Sequence, residues 1–163
     1  MRLSDRAAAV DLTPLRYQFT RASGDHWDDN WLVIRAEVTT PTVRRSFTDA
    51  CLLTDEARRL SAWLRAVADG RRPDAKPDPE GDLVPDLAFL EPLLAFSQVR
   101  WHDGAGVLRV RLSPGDEPVQ GRDESPDDVI EFEVIEVEIE TDRAGLTRAA
   151  EEWDRLLAPF PPR

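Results

Sequence analysis

The chain has 163 residues, 33% of them charged and 41% apolar, and a formal net charge of −11. One domain, residues 1–163, is the natural expectation at this length, with a core of its own. So negative a field argues against direct nucleic-acid binding, because phosphates repel it, and is compatible with a basic protein partner.

Cys51 is the only cysteine, so no internal disulfide can form and a reducing, cytoplasmic setting is expected. Ala7-Ala8-Ala9-Val10 is too short for a signal-sequence core, and Asp11 follows at once. No apolar run approaches the ~20 residues that cross a bilayer, so no membrane role is expected.

Residues 1–11 read as a loose leader. Leu15, Tyr17 and Phe19 alternate with polar residues and predict a first strand. Ala22 to Asp29 is polar and turn-forming. A second strand begins near Trp31, with Leu32, Ile34, Ala36 and Val38 on one face and Arg35 and Glu37 on the other. Thr39-Thr40-Pro41-Thr42 predicts a hairpin loop. A third strand spans Val43 to Leu53, with Phe47, Cys51 and Leu53 in phase.

Thr54 suits an N-cap, and Asp55 and Glu56 suit the positive end of a helix dipole. Ala57, Leu60, Trp63, Leu64 and Val67 recur at helical spacing and predict a helix from Asp55 to Ala68, stopped by Gly70. Residues 71–82 (RRPDAKPDPEGD) predict a mobile Pro-rich loop. Apolar stretches flank Glu91-Pro92, where an edge, bulge or break is expected. Asp103-Gly104-Ala105-Gly106 predicts a turn, and Val107 to Leu112 a strand with Arg109 and Arg111 outward.

The segment Asp123–Asp142 (DESPDDVIEFEVIEVEIETD) holds ten acidic residues and no Lys or Arg. Its apolar and acidic residues alternate, the signature of a half-buried strand with a row of carboxylates outside. The alternation slips at Val134-Ile135. Either a β-bulge keeps the glutamates on one face, or one regular strand buries opposite faces in its two halves. Thr141 is expected to cap a last helix with Leu146, Ala149, Ala150, Trp153, Leu156 and Leu157 buried.

The predicted order is β-β-β-α-β-β-β-α. It implies an α+β fold: one curved antiparallel sheet of about six strands with both helices on one face.

Catalytic signatures are absent: no Gly-x-Ser-x-Gly, no Cys-x-x-Cys, no paired histidines on a helix and no Gly-rich phosphate loop. His26, His102 and Cys51 lack zinc-ligand spacing, so no metal or cofactor is expected. The chain reads as a binding protein, not an enzyme. Candidate partner contacts are Glu131, Glu133, Glu136, Glu138 and Glu140 on the acidic strand, with Asp28, Asp29 and Trp31 near the second strand. Against this stands cross-strand pairing of the glutamates with Arg109 and Arg111, which would cancel part of the field. A small enzyme or ligand-binding domain with a pocket between sheet and helices is the alternative. A third reading is self-association through a sheet edge near Pro92, so the chain is expected as a monomer or weak homodimer.

Several local patterns carry a likeness. His26-Trp27-Asp28-Asp29-Asn30-Trp31-Leu32 leads into an amphipathic strand, and Phe47 lies in the next strand before a helix. Phe89-Leu90-Glu91-Pro92-Leu93-Leu94-Ala95-Phe96 follows the Pro-rich loop, and a Trp- and Leu-bearing helix closes the chain. From Leu12 to Leu157 this order resembles the WapI-type immunity proteins of bacterial contact-dependent toxin systems. The resemblance implies a cytoplasmic protein that binds and blocks a cognate, often basic, toxin domain. The chain departs from the pattern in a longer connection at Arg71 to Asp82 and an acidic loop at Gln120 to Asp128.

Overall fold

A computed structural model describes residues 1–113 and 134–163. Strands β1 (Arg2–Ser4), β2 (Ala9–Tyr17), β3 (Trp31–Thr39) and β4 (Arg44–Leu53) precede helix α1 (Thr54–Ala68). Strands β5 (Leu87–Ala88), β6 (Leu94–His102), β7 (Ala105–Leu112) and β8 (Ile135–Asp142) precede helix α2 (Arg143–Leu157). Each half is a four-stranded antiparallel sheet in sequential order, β1-β2-β3-β4 and β5-β6-β7-β8. The α+β class and antiparallel pairing match the sequence expectation; the single sheet of six strands does not.

Two features account for the difference. Residues 1–11 are no loose leader. Leu3 and Val10 pair across β1 and β2, and both are buried. The polar stretch Ser4-Asp5-Arg6 and three consecutive alanines interrupt the alternation there, so no period shows. The second feature is a break between β1 and β8, which lie beside each other. The Glu140 N–H faces away from β7, where a further strand would bond it. The Asp5 carboxylate takes it instead, at 2.9 Å, while also accepting from the Ala7 and Ala8 amides. A side chain thus ends the ladder.

Bulges set which residues reach the core. The register of β2 against β3 shifts between Pro14 and Arg16, so Leu15 is the extra residue and Tyr17 turns inward opposite Leu32. This corrects the expected strand: Leu15 is exposed, and Phe19 lies beyond the strand and is exposed too. A second shift makes Cys51 the extra residue of β4, buried, with its thiol pKa pushed up to about 12 by burial. No shift occurs along β8, which pairs regularly with β7 from Ile135 to Asp142. The slip expected at Val134-Ile135 depends on Ile130 to Glu133, which lie outside the described residues.

Both helix stripes are buried as their spacing predicts, except that Leu156 is only half-buried. The caps differ from expectation. The Thr54 hydroxyl donates to Asn30 Oδ1, and Glu56 instead accepts from the Leu53 amide at 3.1 Å and the Leu90 amide at 2.8 Å. At α2 the cap is Asp142, accepting from Gly145 N at 2.7 Å, not Thr141. The apolar faces of both sheets and both helices join in one core. Trp153 is fully buried in it and donates its indole N–H to Ala57 O at 2.7 Å. Trp63 lies against Phe96 of β6, ring centroids 5.8 Å apart, so α1 also reaches the second sheet.

The Pro-rich stretch at 71–82 is tied to β6. Ala75 N donates to Gln98 O, and buried Gln98 donates through its side chain to Arg72 O and Asp74 Oδ1. Beside it, burial raises the pKa of Asp86, opposed by the Gln98 amide and Arg72. A raised folded pKa means that ionisation opposes folding. Asp86 therefore costs stability above its folded pKa, and the cost fades as pH falls through that value. Asp86→Asn should raise stability to urea at pH 7, with the gain shrinking in acid. Gly106 packs so closely that a Cβ there would overlap the Arg100 carbonyl oxygen and press on the Trp101 ring. Gly106→Ala should cost about 1–3 kcal/mol in urea titration by forcing β6 and β7 apart.

Candidate functional site

The outer face of the second sheet carries the described part of the acidic strand. Val137 and Ile139 point into the core, and Glu136, Glu138 and Glu140 point out. The register sets Arg109 opposite Glu138 and Arg111 opposite Glu136. The Arg143 N–H donates to Gly104 O, and antiparallel bonding alternates from there. These are therefore non-hydrogen-bonded pairs, whose side chains come closest.

Every described glutamate of the ribbon has an arginine beside it. Arg109 Nη2 lies 2.8 Å from Glu138 and its Nη1 3.3 Å from Glu136; Arg111 Nε is 3.9 Å from Glu136. Arg100 Nη2 lies 3.8 Å from Glu140. Sequence reasoning weighed two of these arginines and missed the third. A strict period of two places Arg100 on the core side with Phe96 and Gln98. The register shift between Gln98 and Arg100 turns it outward, opposite Val107 and in line with Glu140. The ribbon from 136 to 140 is thus a ladder of mixed charge, not a bare row of carboxylates. Glu131 and Glu133 lie outside the described residues.

The charge surplus sits elsewhere in the sequence. Residues 114–133 hold eight acids and one arginine, −7 of the net −11.

An open groove of about 1210 Å³ borders the ladder, between the β1–β2 turn and the start of α2. Arg6, Arg100 and Arg148 line it together with Asp5, Glu138 and Glu140. Burial works to raise the pKa of Asp5, but the amides of Glu140, Ala8 and Ala7 outweigh it and hold the carboxyl below its ordinary value. Neither His26 nor His102 lines this groove, and His102 is exposed beside Asp103. Among the described residues no group of three or more His, Cys, Asp or Glu side chains is placed to hold a metal ion. No described helix is long and apolar enough to cross a membrane.

The remaining candidates lie around a 3-10 turn, Asp28–Asn30, that leads into β3. Asp29 is buried and faces inward. It accepts from Ser23 N at 2.7 Å, Gly24 N at 2.8 Å and the Ser23 hydroxyl at 3.1 Å. The Ser23 amide above all holds its pKa below the ordinary carboxylate value. Its stabilisation is present above the unfolded pKa and is lost as pH falls through the folded one. Asn30 is buried too, bonded to His26 O, Thr54 Oγ1 and the Arg163 backbone. Trp31 is half-buried, whereas Asp28 is exposed. The exposed aromatic beside this turn is Trp27, at 55%, edge-on to His26. The Asp25 side chain accepts from the amides of Trp27 and Asp28. Trp27 lies outside the strand alternation, so periodicity gave no reason to choose it over Trp31.

The described surface thus combines a charged ladder with an aromatic, acidic lip. The chain belongs to the Immunity protein WapI-like family, whose model matches residues 1–161. No curated protein and no solved structure matches the chain.

Arg109 is the most enclosed member of the ladder and serves two glutamates. Arg109→Ala should lower stability by only about 0.5–1 kcal/mol, because exposed pairs are screened by water. It should also leave Glu136 and Glu138 more negative, seen as stronger retention on an anion exchanger.

Proposed function

We propose that this chain protects the cell that makes it by binding the toxic domain of a cognate toxin and blocking it, without chemistry of its own. Membership of an immunity-protein family along almost the whole chain carries this reading. The net charge of −11 favours a basic target, since complementary fields raise the rate of encounter. Such a complex forms in the cytoplasm, where an incoming toxin acts.

The contact surface is proposed to centre on Trp27 and Asp28, with the half-buried Trp31 at the start of β3 beside them in sequence. An exposed Trp beside carboxylates suits an interface anchor. Asp29 supports this surface from below by holding the turn. Glu131 and Glu133 remain proposed contacts. Glu136, Glu138 and Glu140 can reach a basic partner only by exchanging their own arginines, which makes them weaker contributors.

The test is growth protection and direct binding, using the toxic domain of a large secreted protein sought in the reading frame immediately upstream of this chain. Co-expression should restore growth, and affinity should fall with added salt. Trp27→Ala should weaken binding about thirtyfold, the loss of roughly 2 kcal/mol expected of an interface anchor. Reversing Glu136, Glu138 and Glu140 to Lys should weaken it less. Toxicity that persists at full expression of the folded chain would refute the proposal.

A further inference from the structure

We infer that the free edge of β4 pairs with the β4 edge of a second copy of this chain, in one antiparallel register centred on Phe47. Three sheet borders are blunted. Strand β1 has three residues and β5 two, and the Asp5 carboxylate occupies the outward amide of Glu140 on β8. Strand β4 has ten residues, pairs with β3 alone among the described residues, and is exposed at Arg44, Arg45, Ser46, Thr48 and Asp49. A long open edge is a template for another strand.

The hairpin bond from Thr40 N to Val43 O fixes which groups face out. Bonding alternates along an antiparallel ladder, so Arg45, Phe47 and Asp49 bond to β3. The amides of Arg44, Ser46, Thr48 and Ala50 point to the free edge. The Ala50 amide is met by the side chain of its own neighbour Asp49, at 2.7 Å, which agrees with this assignment.

A two-fold axis perpendicular to the sheet keeps each side chain on its face, so only residues of like parity can oppose each other. With Phe47 on the axis, Ser46 and Thr48 of the two copies exchange backbone bonds. Arg45 then lies opposite the second copy's Asp49, twice over, in non-hydrogen-bonded pairs where side chains come closest. Shifting the axis to Ser46 sets Arg45 against Phe47, and shifting it to Thr48 sets Phe47 against Asp49. Both shifts lose the two ion pairs. Among the described residues neither Arg45 nor Asp49 has an ion-pair partner within the chain. The complementarity is therefore available between copies. The sheet border near Pro92, considered from the sequence, is formed by the two-residue strand β5 and offers a far shorter template than β4.

The test uses the full chain alone, without a toxin, so its outcome is independent of the proposed immunity role. Sedimentation over a concentration series should show the mass rising from 18.4 kDa towards twice that value. Arg45→Asp and Asp49→Arg should each weaken the dimer about tenfold or more, by setting like charges opposite each other. The double variant should recover it. Ser46→Pro removes an outward N–H without touching the β3 ladder, and should give a monomer with an unchanged circular dichroism spectrum. A wild-type chain that stays monomeric throughout overturns the inference. So does a dimer indifferent to these changes, or one that the double variant fails to restore.

Discussion

Two open sheets have apolar faces to bury and, among the described residues, two α-helices to bury them on. That constraint organises the molecule. Strand β4 runs directly into α1 and β8 into α2, so each sheet delivers its own helix to the shared core. Trp153 joins the helices by filling the centre and donating to Ala57 O, and Trp63 carries α1 across to Phe96 of the other sheet. Burying a large aromatic stabilises through area, while its indole N–H needs a partner once water is gone; Trp153 meets both conditions. On the outer faces the described strands carry charged side chains such as Arg35, Glu37, Arg109 and Glu138.

On the outer face of the second sheet, that charge is largely matched within the molecule. Arg100, Arg109 and Arg111 interleave with Glu136, Glu138 and Glu140. Each pair is worth little in water, and the row serves mainly to avoid like charges standing side by side on adjacent positions. The chain's negative surplus is therefore not a property of this ladder. It belongs chiefly to residues 114–133 by composition, and to isolated acids such as Asp25 and Asp28.

Asp28 and Asp29 show how adjacent, identical side chains divide between display and support. Asp29 turns in to collect the Ser23 and Gly24 amides, and Asn30 ties the same turn to α1 through Thr54. The turn so fixed leaves Trp27 and Asp28 outside. A partner would meet a preorganised aromatic group, which lowers the ordering cost of association.

Periodicity alone determined much of this protein. The apolar stripes of both helices, the inward face of β3 and the alternation of Val137 and Ile139 come from the spacing of 3.6 or 2 that a helix or strand imposes on any buried face. The family likeness was legible too, in the order of the aromatic motifs. Tertiary structure alone decided what periodicity cannot encode. Single-residue bulges near Leu15, Cys51 and Val99 invert the parity of the residues beyond them, and one of these bulges placed Arg100 among the glutamates. Side chains that bond backbone at a distance, Asp5 on Glu140 and Glu56 on Leu90, settled where a sheet stops and how a helix begins. Local spacing carries no information about such contacts, because their partners meet only after the chain has closed on itself.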